Sequence, residues 1–220
     1  MKKASNSVTV DRRFERKRRE REARCEEILA AAEQLFSKHG FFKTSMSEIA
    51  RTAQFALGTV YRCFASKEEI YISLIERKID DLFAQLKTAL ALAESATDQL
   101  RAVIRVKLAF ADRNRDFFRI YVSEWSGFEW TVKSAFGERI WKKYLDQITL
   151  VAAVIQDGIS RGEFRDVDPQ DASLAFHGML NATMYMWTLE TNPAESLVAK
   201  EELLFSLAVQ GLAKFPRNGA

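Results

Sequence analysis

Apolar side chains recur every three or four positions along most of this chain, which is the spacing of one face of a helix. The first such stripe covers residues 25–36 and ends before Gly40, a residue type that commonly terminates helices. Two short stripes follow at residues 46–53 and 57–64, and a long stripe begins near Lys67. The pattern predicts one medium helix, then two short helices, then a long helix.

Helical patterns continue beyond a polar stretch at residues 93–98, which we interpret as a linker. They cover residues 99–111, 115–124, 135–161, 169–190 and 195–214. Residues 125–136 form either a loop or a broken helix. The chain of 220 residues has only nine Gly and three Pro, fewer than the turns of a sandwich or a βαβ fold require. We therefore predict an all-α fold.

Two capping signals frame the short helices. Ser45 and Glu48 have the spacing of a capping box, in which each side chain bonds the other residue's backbone amide, and Ser66 and Glu69 repeat it before the long helix. About three residues join the two short helices, as in a helix-turn-helix, whose second helix fits the major groove of duplex DNA. Short helix pairs also occur in other α-helical proteins, so spacing alone leaves a purely structural role open.

Charge is unevenly distributed, although the formal net charge is only +3. Residues 1–67 hold 15 Lys and Arg against 8 Asp and Glu, whereas the remaining residues hold 18 against 22. A positive first third suggests that this end meets a polyanion. We expect residues 1–11 to be disordered. Residues 12–24 are either a basic arm that touches DNA or a solvated extension of the next helix.

Several function classes lack support. Two His and two Cys lie in no metal-ligand spacing, and no nucleophile–base pair or glycine-rich phosphate loop is present. We therefore expect no enzyme activity, no cofactor and no metal. The start lacks the apolar stretch of an export signal, and no window reaches a membrane span, so we expect a cytoplasmic protein with reduced thiols and no membrane partner. A helical carrier and a low-specificity DNA-binding protein stay open as rivals.

The residues around the short helices identify a family. The likeness is carried by ILAAAEQLF at 28–36, GF at 40–41, TSM at 44–46, IA at 49–50, GTVY at 58–61, Phe64, and SKEEIY at 66–71. This run closely resembles the DNA-binding region of the TetR family of bacterial repressors. The resemblance implies a repressor that binds a palindromic operator as a homodimer and is released by a small effector.

The resemblance also implies roles for particular residues. Thr44 and Ser45 would begin the first helix of the motif and touch phosphate, and Tyr61 would bond a phosphate from the recognition helix. The other implied DNA-binding positions are Leu57, Gly58, Thr59, Arg62 and Lys67, the last at a helix N-terminus that favours an anion. Among these, Leu57, Gly58 and Arg62 are the candidates for contact with base edges.

Two positions depart from the family pattern. Gln54 stands where members usually have Gly, and a left-handed backbone there costs on the order of 1 kcal/mol. Ala56 is a poor N-cap and loses about 1 kcal/mol relative to Ser. Neither change removes a DNA contact.

The C-terminal part offers a dimer interface and an effector site. The last two helices carry small and apolar residues suited to close packing in a four-helix dimer bundle, and the predicted interface is Leu174, Ala175, Gly178, Met179, Ala182, Leu203, Leu207 and Gln210. Aromatic side chains concentrate in the same part of the chain. From them we predict an effector lining of Phe110, Phe117, Tyr121, Trp125, Trp141, Tyr144, His177 and Met184. A tightly packed core without a pocket, with His177 a satisfied core residue, is the alternative.

The prediction is thus an all-α chain with an N-terminal three-helix helix-turn-helix domain and a C-terminal helical ligand-binding and dimerisation domain. Residues 1–24 are the basic flexible arm or helix extension, residues 25–71 the DNA-binding domain, and residues 72–220 the effector-binding and dimerisation domain. The expected partners are a double-stranded DNA operator, a second copy of the chain, and a small lipophilic or aromatic effector.

Overall fold

The computed structural model describes residues 4–115, 118, 131–190 and 195–213, with side chains from residue 12 in the first range and from residue 138 in the third. All regular structure within these ranges is helical, so the all-α prediction is confirmed. The helices are α1 (Ala4–His39), α2 (Met46–Thr52), α3 (Leu57–Cys63), α4 (Lys67–Leu92), α5 (Ala96–Arg113), α6 (Thr131–Arg161), α7 (Pro169–Leu189) and α8 (Glu201–Leu212), with a 3-10 turn at Leu197–Lys200.

The chain divides into two compact units, Met1–Ile75 and Glu76–Ala220, and the division falls inside α4. In the first unit the apolar stripes of the helices bury one another, as their spacing predicts. Its largest fully buried side chains are Ile28, Phe36, Ile49, Ile70 and Ile72. These come from α1, α2 and α4, and Val60 of α3 is also fully buried, so the core holds both helices that flank the turn of the motif.

Helix α1 reaches far beyond the core of this unit. It begins at Ala4, so the expectation of a disordered lead over residues 1–11 is wrong from that residue onward. The side chains of residues 12–24 are exposed, and pairs such as Arg16–Glu20 and Arg18–Glu22 lie one turn apart on the helix surface. High helix propensity and these alternating charges continue the helix without an apolar stripe.

The turn of the helix-turn-helix has the backbone that its sequence predicts. Gln54 has a φ of 59°, the left-handed conformation expected where a glycine usually stands. Ser45 and Glu48 form both bonds of the capping box at the start of α2. Ala56 provides no side-chain cap for α3. The start of α3 is therefore held by its packing and not by its own cap.

The second unit is built around α5, which packs against α6, α7, α8 and the 3-10 turn. Its core includes Leu100, Ile104, Leu108, Val151 and Ile155, which are almost fully buried. The linker is shorter than predicted, because Ser95 caps α5 and the helix begins at Ala96. The predicted helix at 195–214 is divided into the 3-10 turn and α8.

The end of α6 packs closely against the start of α5. A Cβ atom added to Gly158 would clash with the Phe164 ring and lie 2.9 Å from the Ala96 Cβ, so only glycine fits there. Glu163 accepts hydrogen bonds from the Ala96 and Thr97 amides and so caps the first turn of α5. Within the described ranges, none of the helices has the length and apolar character needed to cross a bilayer.

Candidate nucleic-acid interface and effector region

One face of α3 is buried in the first unit and the other face is exposed to solvent. Val60 is fully buried, whereas Leu57, Tyr61 and Arg62 are exposed, Tyr61 to 51%. Gly58 is also exposed, and a Cβ atom built on it would meet nothing within 4 Å. The surface formed by residues 57, 58, 61 and 62 therefore combines one cation, one phenol, one apolar side chain and a stretch of bare backbone.

Arg62 and Thr59 lie one helical turn apart and contact each other. The Arg62 Nη2 atom donates to the Thr59 Oγ1 atom at 2.9 Å, and the Arg62 carbonyl oxygen accepts from the Arg21 Nη2 atom of α1 at 3.4 Å. These contacts bring a residue of the basic segment beside the end of the recognition helix. The two guanidinium groups raise the local positive potential on this face.

The structure gives Thr44 a different role from the predicted phosphate contact. Its side chain is only 3% exposed, and its Oγ1 atom donates to the Gly40 carbonyl oxygen at 2.9 Å. Because the hydroxyl is buried and already donating, the predicted phosphate contact of Thr44 is not made by its side chain. Ser45, the next residue, is exposed, and its hydroxyl and amide bond the Glu48 carboxylate. The side-chain bond, followed by the amide bond, lowers the pKa of Glu48.

The Lys67 side chain also makes its hydrogen bonds within the first unit. Its Nζ atom donates to the Phe41 and Thr44 carbonyl oxygens at 2.7 and 2.8 Å and lies 4.3 Å from the centre of the Phe41 ring. The ammonium therefore ties the start of α4 to the turn between α1 and α2. A phosphate contact through the Lys67 ammonium is contradicted by this geometry, and the backbone amides at the start of α4 are what the helix N-terminus can still offer to an anion.

Cys25 and Cys63 form a disulfide between α1 and the last residue of α3, with their Cα atoms 5.6 Å apart. The expectation of reduced thiols is therefore wrong for this structure. That expectation followed from the number of cysteines and the absence of an export signal. The pairing instead depends on α1 packing against α3, a contact between residues 38 positions apart that local patterns do not report.

The predicted effector lining is partly brought together. Phe117, Tyr121 and Trp125 lie outside the described residues. The ring of Tyr144 is 6.1 Å from that of His177, and Phe110 and Met184 belong to the core cluster. Trp141 is 54% exposed and packs on Tyr144, so its ring lies at the surface of the monomer and its predicted place inside a lining is wrong.

A buried polar cluster lies beside His177 and escaped the sequence prediction. Lys107 of α5 is 4% exposed, and its Nζ atom donates to the Gln147 Oε1 atom of α6 at 3.3 Å. Burial lowers the pKa of Lys107 to about 8. Burial, followed by the positive charge of Lys107, lowers the pKa of His177 to about 3. The sequence contains one signal for this cluster, because Lys107 stands on the apolar stripe of α5, three residues after Ile104.

The predicted dimer residues form an exposed surface on α7 and α8. Seven of the eight are exposed and Met179 is half-buried. Leu174, Leu203 and Leu207 each expose more than half of their side chains, and Met186 and Leu189 extend the same kind of surface. A row of large exposed apolar side chains on two packed helices is typical of an interaction surface.

Comparisons with known proteins agree with this architecture. The family model described as bacterial regulatory proteins of the tetR family matches residues 28–74. A second model, the tetracyclin repressor-like C-terminal domain, matches residues 93–188. Together the two matches span more than half of the chain and include both units.

Two relatives and one solved structure match this chain over most of their length. The fatty acid metabolism regulator protein of Bacillus subtilis (strain 168) is 23% identical over 84% of this chain and 94% of that protein. The HTH-type transcriptional repressor KstR2 of Rhodococcus jostii (strain RHA1) is 27% identical over 87% of this chain and 92% of that protein. The crystal structure of FadR from Bacillus subtilis in complex with stearoyl-CoA has a TM-score of 0.75, at 23% identity over 85% of this chain and 98% of that one. With a helix-turn-helix head and a matching helical domain, this chain belongs to the TetR family and is a transcriptional regulator, not an enzyme.

Proposed function

We propose that the chain is a homodimeric repressor that binds a palindromic operator and leaves it when a small lipophilic effector binds. The observation that carries the proposal is the outer surface of α3. Its exposed residues have the chemistry of groove recognition, because Arg62 can pair with guanine, Tyr61 can bond a phosphate and Leu57 can contact a thymine methyl.

The head supports this role by holding that surface in place. Val60 is buried under α3, and the disulfide fixes its last residue to α1. Gly58 lets DNA approach the helix backbone, since no side chain intervenes there. The exposed arginines of α1 add charge for phosphates that flank the site, which makes binding sensitive to salt.

The exposed apolar surface of α7 and α8 supports the dimer. Two copies that pair through these helices would bury Leu174, Leu203 and Leu207 in a four-helix bundle and remove them from water. A symmetric dimer reads two half-sites about one helical turn apart, which gives enough contacts for specificity.

Relatives guide the choice of effector class. One relative is named as a fatty acid metabolism regulator, and the structure of FadR from Bacillus subtilis holds stearoyl-CoA. An acyl effector suits the apolar interior of the second unit. Its binding would favour a conformation in which the two recognition helices no longer match successive grooves.

A footprint over the DNA upstream of the chain's own gene, followed by fluorescence anisotropy on the protected site, tests the proposal. We expect a protected palindrome and at least about tenfold weaker binding by Tyr61→Ala, because a phosphate contact is lost at every site. Arg62→Ala should change the preferred sequence. Arg161→Ala removes an exposed arginine from the second unit and should bind like the wild type. Equal affinity of the wild type for operator and random DNA at every salt concentration would instead indicate a low-specificity DNA-binding protein.

A further inference from the structure

The Cys25–Cys63 disulfide ends at the helix that carries the proposed DNA contacts. Cys25 belongs to α1, and Cys63 is the last residue of α3 and directly follows Arg62. The Cα atoms of the two cysteines are 5.6 Å apart, which is within the span of a disulfide. The packing of α1 against α3 therefore brings the two sulfur atoms together at the edge of the DNA-reading surface.

Helix α3 is short, and one of its side chains anchors it in the core. Of its seven residues, all of them described, Val60 alone is buried. Ala56 gives its start no side-chain cap, and Phe64 is buried just beyond its end. The Arg21 side chain reaches its backbone through a long hydrogen bond of 3.4 Å to the Arg62 carbonyl oxygen. A covalent link at the end of such a helix should restrict its local motion strongly.

The disulfide is accessible from solvent. Cys25 and Cys63 are both half-buried, while Arg21, one helical turn before Cys25, and Arg62 are exposed. Accessible disulfides are the ones that exchange with thiols in solution. The chain has two cysteines in 220 residues, so a change in its thiol–disulfide state involves this pair alone.

A regulator that binds DNA works in a reducing environment. The compartments that hold chromosomes keep cysteines reduced through small thiols and dithiol proteins, and disulfides that form there are usually transient and redox-sensing. A cysteine pair that the fold places in bonding distance beside a DNA-reading surface therefore suits a sensor of oxidising conditions.

We propose that Cys25 and Cys63 form a thiol–disulfide site whose redox state sets the affinity of the chain for operator DNA. The disulfide form holds the end of α3 on α1 and binds the operator tightly. The dithiol form frees that end and binds the operator more weakly. The inference rests on the proposed function and names a regulation of the same DNA-reading surface.

Both directions of the switch have a defined co-reactant. In reduction, a dithiol in solution gives two electrons and two protons to the S–S bond, which breaks into two thiols while the dithiol becomes a disulfide. In oxidation, one thiol of the pair is converted by hydrogen peroxide to a sulfenic acid, and one water is released. The other thiol attacks that sulfur, the S–S bond forms, and a second water leaves.

The position of the disulfide explains why its state should change affinity. Tyr61 and Arg62 directly precede Cys63, so freeing the end of α3 also frees the two side chains proposed to contact phosphate and base. Ordering them again when DNA binds costs free energy, whereas the disulfide form is already ordered. In the proposed dimer this cost arises at both half-sites.

Fluorescence anisotropy on the protected operator tests the proposal with the full-length chain, first as the disulfide and then after reduction by dithiothreitol. A thiol assay should find no free thiol in the first sample and two per chain in the second. We expect operator binding at least about fivefold weaker after reduction. Oxidation of the reduced chain by hydrogen peroxide, followed by removal of the peroxide, should restore the affinity of the disulfide form.

The double variant Cys25→Ser/Cys63→Ser is the matched control. It should bind the operator like the reduced wild type, and neither dithiothreitol nor peroxide should change its affinity, since it has no cysteine. Circular dichroism should show the same helix content for the wild type before and after reduction. A loss of helical signal on reduction would overturn the proposal, because the disulfide would then hold the whole head together and not switch one helix.

Three other results overturn the proposal as well. These are equal operator affinity of the disulfide and dithiol forms, tighter binding by the dithiol form, and a pair that does not cycle between the two forms in the folded chain. In each case operator binding by the disulfide form leaves the proposed repressor intact. A disulfide form that binds no operator refutes the proposed function itself.

Discussion

Each of the two units of the chain has a lysine ammonium that bonds inside its fold, and the surroundings of the two lysines differ. In the first unit Lys67 donates to two backbone carbonyl oxygens within 2.8 Å and lies against the Phe41 ring. In the second unit Lys107 is more deeply buried and has one weak amide partner among the described residues. The first lysine completes the hydrogen bonding of the turn between α1 and α2, whereas the second keeps a buried charge that pairs with no carboxylate of the described residues.

The same difference extends to the neighbouring polar groups. Thr44, buried in the first unit, donates its hydroxyl to Gly40, while His177 in the second keeps an unpaired Nε2 atom. A DNA-reading head gains from internal polar groups that are fully bonded, because its outer surface must keep one shape. In the second unit, leaving the His177 Nε2 atom unpaired costs free energy that a hydrogen bond would recover.

Reduction of the Cys25–Cys63 disulfide should have the largest effect, and it should be confined to the first unit. Opening a cross-link between residues 38 positions apart lowers the free energy of unfolding by about 4 kcal/mol in the chain-entropy model. Hydrogen exchange in α1 and α3 should accelerate in dithiothreitol. All four tryptophans lie beyond residue 124, so tryptophan fluorescence is the internal control and should stay unchanged. Equal exchange with and without reductant would show that the cross-link does not stabilise the head.

Replacing each lysine by methionine should move stability in opposite directions. Lys67→Met removes two charged hydrogen bonds and should lower the free energy of unfolding of the first unit by about 2–3 kcal/mol. Lys107→Met replaces an uncompensated buried charge by an apolar chain and should raise that of the second unit by about 2 kcal/mol. Urea unfolding followed by hydrogen exchange and by tryptophan fluorescence measures the two effects.

The stability gained by Lys107→Met should shrink between pH 8 and 10.5, because in this range Lys107 loses its proton in the folded wild type before it does so in the unfolded chain. Destabilisation by both substitutions would remove the contrast between the units.

Acid should weaken the second unit through His177. Its pKa is about 3 in the folded chain and about 6.5 in the unfolded chain, so the stability is complete above pH 6.5 and is lost as the pH falls towards 3. Between pH 7 and pH 5 the expected loss is about 2 kcal/mol. Urea titrations of the wild type and His177→Phe at both values measure it, and the variant should lose less. An identical pH dependence would mean that His177 is not held neutral by its surroundings.

Local signals in the sequence predicted the ends of several helices and the turn of the motif well. The capping box at Ser45, the left-handed Gln54, the missing cap at Ala56 and the Pro at the start of α7 are each decided within a few residues. The same holds for the end of α6, where Gly162 follows the last helical residue with a φ of 79°. The apolar faces that the hydrophobic spacing predicts then pack together in the expected all-α fold.

Contacts between distant residues could not be predicted in the same way. The family resemblance implies DNA contacts for Thr44 and Lys67, yet the packing of the turn between α1 and α2 draws both side chains inward. The disulfide depends on how α1 lies against α3, and the polar cluster depends on three helices from separate parts of the chain. The sequence indicates only Lys107, as a charge on an apolar stripe, and does not indicate that Gln147 and His177 lie near it.

Fluorescence anisotropy on the protected operator, with the wild type, Tyr61→Ala and Lys107→Met side by side, tests the central claim most directly. The claim is that the outer surface of α3 in the first unit reads DNA. Tyr61→Ala should bind the operator at least about tenfold more weakly than the wild type, because a phosphate contact is lost. Lys107→Met changes a residue of the second unit and should bind with unchanged affinity. Equal operator affinity of the wild type and Tyr61→Ala would contradict the account.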